Sequence, residues 1–202
     1  MRRLWCLWAL WVLLGSAGVL AQPVTLPVDS TQSLLQYYGH HPLHGWTGVS
    51  RSVQGKLHLD LANPARSTVR LHVPVASFSS GNSNRDSNML EVVEADRFPE
   101  VIFESSAIAV ERWEQTATGY EGAWVVNGRL TFHGQTQAVA IPVAVRINNH
   151  RFEATGRFSI MLSQFGVRRP KLLLMAIRDR IDLEGTIRAV LPPAAKAGEQ
   201  SF

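Results

Sequence analysis

The sequence predicts an all-β domain of eight antiparallel strands, arranged as a closed barrel or a two-sheet sandwich. Three observations carry this expectation. Apolar and polar residues alternate with period two along most of the chain after Val24. The alternating runs are joined by short turn signals, and the helical spacing of 3.6 is confined to one long internal loop.

The first strand is placed near Gln32 to Tyr38. In the second, Val53, Gly55, Leu57, Leu59 and Leu61 alternate with Gln54, Lys56, His58 and Asp60, and Asn63-Pro64 ends it. In the third, Val69, Leu71, Val73 and Val75 alternate with Thr68, Arg70, His72 and Pro74. A long loop, SFSSGNSNRDSNMLEVVEADRFPEVIFES from Ser77 to Ser105, then interrupts the pattern. Loops of this length in a compact domain usually carry function. Its polar turn formers lead into a short helix between strands three and four, with Ser83 as the expected cap, Asp86 three residues on, and Met89, Leu90 and Val93 on one side. Phe98-Pro99 returns the chain to a fourth strand, from Glu100 to about Arg112. Trp124, Val126, Gly128, Leu130 and Phe132 share one face of the fifth. The His133-Gly134 turn leads to the sixth, with Val139, Ile141, Val143, Val145 and Ile147, and Asn148-Asn149 turns the chain again. Phe152 to Leu162 forms the seventh, and Ile177, Ile181, Leu183, Gly185 and Ile187 mark the last.

Closure into a barrel would remove the edges that a sandwich must protect. An eight-stranded barrel is wide enough either to fill with side chains or to hold one small ligand. The expected inward face alternates Trp124, Phe132 and Phe158 with Gly55, Gly128, Gly156 and Gly185. Those glycines either leave a channel or mark bulges and corners.

Residues 1–21 read as a secretory leader. Arg2 and Arg3 precede an apolar run from Leu4 to Leu14, and Val19-Leu20-Ala21 fits a cleavage site after Ala21. The run is too short to span a bilayer, so a periplasmic or secreted mature chain is expected. The single cysteine, Cys6, lies inside this run. The mature chain would hold no disulfide, thiolate nucleophile or thiolate-bound metal and would depend on its core for stability. Lys and Arg total 20 against 16 acidic residues, so loss of Arg2 and Arg3 leaves a net charge of +2. So mild an excess gives no warrant for nucleic-acid binding. Residues 22–190 are read as a single domain and 191–202 as a flexible tail, in a monomer or a homodimer.

The Ser77–Ser105 run, the GRLTFHGQTQAVAIPV hairpin and the FSIMLSQFGV segment resemble the YceI-like family of secreted bacterial proteins, in family order from about Val28 to Val190. The resemblance implies a lipocalin-like antiparallel barrel around a hydrophobic tunnel, with a polyisoprenoid or related amphiphile as ligand. Two segments depart from the commoner pattern, TQSLLQYYGHHPLHGW near the first strand and the apolar PKLLLM near the last. They bear on the ligand more than on the fold.

A tunnel for a long apolar chain needs apolar walls, since each buried methylene contributes about 0.8 kcal/mol. The lining candidates are Leu57, Leu71, Val73, Phe103, Trp124, Leu130, Phe132, Phe158, Ile160 and Ile181, with Met89 and Leu90 from the loop helix as a lid. Ordinary core packing is the alternative for each. By strand alternation Asp179 should point inward with Ile177 and Ile181, where it needs an arginine or tyrosine partner, a bulge, or a polar ligand head group. Arg85 and Asp86 match the family's Arg-Asp position and read as a loop-fixing pair rather than catalysts. His40, His41 and His44 of GHHPLH could ligate a metal, but Pro42 breaks any helix that would align them, which favours surface histidines at the barrel mouth. No metal, cofactor or catalytic residue is therefore assigned, a bound lipid apart.

Three function classes follow. The leading one is a non-enzymatic binder and carrier of an isoprenoid-like lipid. The others are an enzyme acting on such a lipid, with Asp179 or a GHHPLH histidine as acid or base, and an interaction module built on a solid barrel.

Overall fold

A computed structural model of the protein describes residues 22–172 and 175–193. The expected leader, Leu173 and Leu174 of the PKLLLM segment, and the tail from 194 lie outside the described residues. In chain order the strands are β1 (Val24–Pro27), β2 (Leu34–His41), β3 (His44–Ser50), β4 (Gln54–Leu59), β5 (Thr68–Pro74), β6 (Glu100–Thr116), β7 (Gly119–Phe132), β8 (Gln135–Asn148), β9 (Arg151–Met161), β10 (Lys171–Leu172), β11 (Met175–Ala176) and β12 (Arg180–Val190). Helix α1 (Ser83–Val92) stands between β5 and β6.

Ten strands form one antiparallel sheet in the order β1-β4-β5-β6-β7-β8-β9-β12-β2-β3, and β10 pairs with β11 alone. The sheet curls into a barrel, so the all-β class with one short helix holds. The strand count differs from eight, for physical reasons. Strand β3 is rich in Gly, Thr and Ser, whose weak hydropathy hides its alternation, and it makes a hairpin with β2 that was not among the eight expected strands. Strand β1 is only four residues long, held against β4. The last strand starts at Arg180, so Ile177 and Asp179 precede it and do not share its alternation.

The β2–β3 hairpin interlocks aromatic rings with glycines. Tyr37 pairs with Gly48 and Trp46 with Gly39 across the two strands. A methyl group on Gly48 would sit 2.1 Å from the Tyr37 ring, and one on Gly39 would sit 2.3 Å from the Trp46 ring. Each ring covers the bare backbone opposite it, a pairing that fixes register.

The long strands β6, β7 and β8 are joined by tight turns. His133 and Gly134 take φ 48° and 69°, the left-handed pair that matches strand twist in a two-residue hairpin. The β8–β9 turn uses Asn149 and His150, at φ 46° and 65°, one residue later than the expected Asn148-Asn149. Register shifts at Ser105/Ala107 and Val110/Arg112 bend β6 and help curl the sheet.

The barrel seam is closed by the long loop. Val49 on the free edge of β3 exchanges two backbone hydrogen bonds with Ser79, 2.8 and 3.0 Å long, and Ser50 Oγ lies 2.7 Å from Ser77 Oγ. Past β1, Val28 N–H donates to the Gly55 carbonyl and Asp29 N–H to that of Arg188, tying the two sides of the sheet. The stretch that breaks the strand pattern in sequence therefore completes the barrel in space. Inside, Val53, Leu57, Leu59, Trp124, Phe152 and Phe165 belong to one continuous buried cluster.

Candidate functional site

The barrel interior is not filled. A chamber of about 140 Å³ lies against β4 to β9, walled by Leu57, Val69, Phe103, Trp124, Val143 and Phe158 among others. A larger one of about 900 Å³ opens toward α1, walled by Tyr37, Trp46, Phe78, Phe132, Ile160 and Ile181 among others. Leu35, Val101 and Leu130 belong to both walls, so the two chambers adjoin. The larger is at the upper end for small-molecule sites.

The structure divides the sequence candidates between these chambers. Leu57, Leu71, Val73, Phe103, Trp124 and Phe158 line the inner one, Met89, Phe132, Ile160 and Ile181 the outer, and Leu130 both. Leu90 lines neither and packs against the core beside the lid. Asp179 also lines neither. Its carboxylate accepts from Ser163 N–H at 2.9 Å and from Ser163 Oγ at 2.5 Å, with Arg169 Nε 3.6 Å away. Those hydrogen bonds hold its pKa below the ordinary value despite partial loss of water. The arginine partner expected for it is present, and the serine is an additional one. Asp179→Ala should cost about 1–2 kcal/mol of stability, read by urea unfolding, and leave ligand affinity untouched.

Sequence reading missed Leu35, Tyr37, His41, Trp46, Val75 and Phe78 in the outer wall. Tyr37 and Trp46 were discoverable as aromatic residues facing glycine, had the second half of the hairpin been recognised. The placement of the mouth histidines at the surface needs correction for His41, which is 1% exposed. Its Nδ1 accepts from Leu43 N–H at 3.3 Å, so Nε2 carries the proton and donates to the Met175 carbonyl at 3.3 Å. Burial raises the pKa of the Tyr37 hydroxyl. Among the described residues, no three His, Cys, Asp or Glu side chains converge as a metal site would require.

Helix α1 roofs the outer chamber. It starts one residue earlier in role than expected, because Asn82 rather than Ser83 is the cap, its Oδ1 accepting from Arg85 N–H at 3.0 Å. Asp86 turns back to the preceding loop. Its carboxylate accepts from Ser80 N–H at 2.9 Å, from Ser80 Oγ, and from Ser79 Oγ at 3.2 Å. Arg85 reaches the same residue, donating to Ser80 Oγ at 2.8 Å and to the Ser80 carbonyl at 3.0 Å, and lies 5.9 Å from the Trp46 ring centroid. The two charged residues thus grip Ser80 together. At the far end, His133 contacts the Phe165 carbonyl at 2.8 Å and Glu94 at 3.3 Å, while its ring meets Phe98. Both ends of the roof are anchored to the barrel, and Met89 faces the space between.

A curled antiparallel sheet around an apolar cavity, roofed by one helix, defines a lipocalin-like barrel. The chain belongs to the YceI-like domain family, whose model matches residues 26–189. It is 23% identical over 133 residues to a UPF0312 protein (plu2095) of Photorhabdus laumondii and 24% identical over 132 residues to one of Azotobacter vinelandii. The chain spans 65% of the length of each, just under two thirds. Among solved structures it is similar to BcnA of Burkholderia cenocepacia, with a TM-score of 0.69 and 23% identity over 81% of this chain and 99% of that one. A polyisoprenoid binding domain from Saccharophagus degradans, implicated in plant cell wall breakdown, has a TM-score of 0.67 at 13% identity, covering 85% of this chain and 100% of that one. At these identities the likeness shows the fold.

Proposed function

We propose that the protein binds and carries a hydrophobic amphiphile, a polyisoprenoid or an isoprenoid-quinone-like lipid, without transforming it. The observation that carries this is the pair of adjoining, mainly apolar chambers, about 900 and 140 Å³, under a helix anchored at both ends. Withdrawing methylenes from water contributes about 0.8 kcal/mol each, so a long chain binds tightly on apolar contact alone. The polyisoprenoid binding domain of the same fold supports the choice of ligand class. The leader-like residues 1–21 support a periplasmic or secreted location, where a lipid of negligible solubility needs a carrier.

Intact-mass measurement under native conditions, after exposure to a polyprenyl alcohol, should show a single adduct. Trp46 and Trp124 stand in the walls of the outer and inner chambers, so their emission should change in the same titration. No mass gain and no change in emission would refute the carrier reading; appearance of a converted lipid would replace it with the enzyme reading. Met89→Ser, which makes the roof polar where it meets the ligand, should speed lipid release several-fold. Unchanged release would place the entrance elsewhere.

A further inference from the structure

The rim of the outer chamber bears a face that ligand enclosure leaves unused. The β2–β3 hairpin turns through Pro42 and Leu43, and Leu43 is 62% exposed. Beside it lies the antiparallel β10–β11 pair. Arg178 N–H donates to the His40 carbonyl at 2.8 Å, the Met175 carbonyl meets His41, and Met175 is 37% exposed. Two exposed apolar side chains therefore lie on neighbouring segments at the mouth, Leu43 between β2 and β3 and Met175 on β11.

Basic residues surround them. Arg168, Lys171 and Arg178 are exposed, and among the described residues none has a carboxylate within 4 Å. Arg168 and Lys171 also form part of the outer chamber's wall. Asp179, the one acid between Gly166 and Asp179, is occupied by Ser163 and Arg169. The rim's acidic residues, Glu91 and Glu94, come from α1 and its C-terminal end, and Glu94 is engaged by Arg97 and His133. Arg85 of α1 is held by Ser80, and Asp182, which shares a pocket with Arg178, is paired with Arg180 at 2.8 Å, so the charge left unpaired beside Leu43 and Met175 is basic.

We infer that this face docks on an anionic lipid bilayer and sets the mouth of the chamber against the leaflet from which the ligand is drawn, an assignment that rests on the lipid-carrier reading. A lipid too insoluble to cross water must be collected at a membrane. Unpaired Lys and Arg are drawn to an anionic leaflet, and apolar side chains at the centre of such a patch enter the interfacial region. So few groups give weak, reversible, salt-sensitive binding, which suits a carrier that must leave again.

The test is co-sedimentation of the mature chain with vesicles of phosphatidylglycerol and phosphatidylcholine, against vesicles of phosphatidylcholine alone. Binding is expected only to the former and should weaken as salt is raised. The double variant Leu43→Ser, Arg178→Glu alters two exposed side chains outside the chamber walls and should lower the partition coefficient at least about tenfold. Loading of both proteins with a polyprenyl alcohol from detergent micelles, read by native mass, should be equal. Absence of vesicle binding, equal binding to both vesicle types, or unchanged binding by the variant would overturn the docking. Micelle loading without vesicle binding refutes the docking alone; vesicle binding without micelle loading refutes the carrier reading alone.

Discussion

Gly128→Leu is expected to cost the protein much of its stability, whereas Gly185→Val should leave it folded and impair ligand binding. Both glycines belong to the expected inward face, and sequence periodicity treats them alike. In space they differ. A Cβ on Gly128 would lie 2.4 Å from the Glu104 carbonyl oxygen and 2.7 Å from the Phe103 ring, beside the Ser105/Ala107 register shift. Backbone cannot yield as a flexible side chain can, so Gly128→Leu should cost about 3 kcal/mol and lower the melting midpoint by roughly 10 °C. A Cβ on Gly185 meets Leu35 Cδ1 at 3.5 Å and the Leu34 carbonyl oxygen at 4.0 Å, both ordinary contacts, and Gly185 borders the inner chamber. Valine there suits a strand and fills space that a ligand tail would use. Displacing about two methylenes costs about 1.6 kcal/mol, roughly a tenfold loss of affinity, with the melting midpoint nearly unchanged. Thermal unfolding and polyprenyl titration on the two variants would separate these effects. A well-folded Gly128→Leu would contradict the packing described for it. Unaltered affinity in Gly185→Val would show that the ligand stops in the outer chamber.

Asp86→Ala should open the barrel seam and loosen its roof. The carboxylate fixes Ser79 and Ser80, and Ser79 makes the two backbone bonds that join the loop to the edge of β3. Losing hydrogen bonds to a charged group that is partly withdrawn from water should cost about 2 kcal/mol. Hydrogen exchange at Val49 and Ser79 should quicken well before global unfolding; unchanged protection there would mean that the seam is held without Asp86. The pH dependence has a definite sign. Partial burial raises the Asp86 pKa, but the hydrogen bonds from Ser80 and Ser79 and the nearby Arg85 outweigh it, so the folded value lies below the ordinary 3.8. The stabilisation is complete above 3.8 and is lost as pH falls through the folded value, where protonation removes the acceptor charge. Asp86→Asn should lack this acid-side loss.

The long alternating strands were legible because period-two burial writes itself into hydropathy, and the His133-Gly134 turn because left-handed backbone selects its residues. The β2–β3 hairpin was not, although it supplies Tyr37 and Trp46 to the outer wall. Its signal lies in pairs such as Tyr37 with Gly48, where one strand's bulk answers the other's lack of it. The Ser77–Ser105 loop stood out from the start as the one long interruption. Its sequence showed a helix and a charged pair, yet not that Asp86 and Arg85 both hold Ser80 or that Ser79 completes the sheet.

By itself, then, the sequence determined the all-β class, the long strands, the position of the helix and the family, because these depend on local periodicity and on short runs read in order. Only the tertiary structure decided which glycines border space, which wall each candidate joins, and that Asp179 faces Ser163 rather than a ligand. Those outcomes depend on the approach of segments distant in the chain: Gly128 to Glu104, Gly185 to Leu35, Asp179 to Ser163. Distance through space between such segments leaves no trace in the spacing of residues along either one.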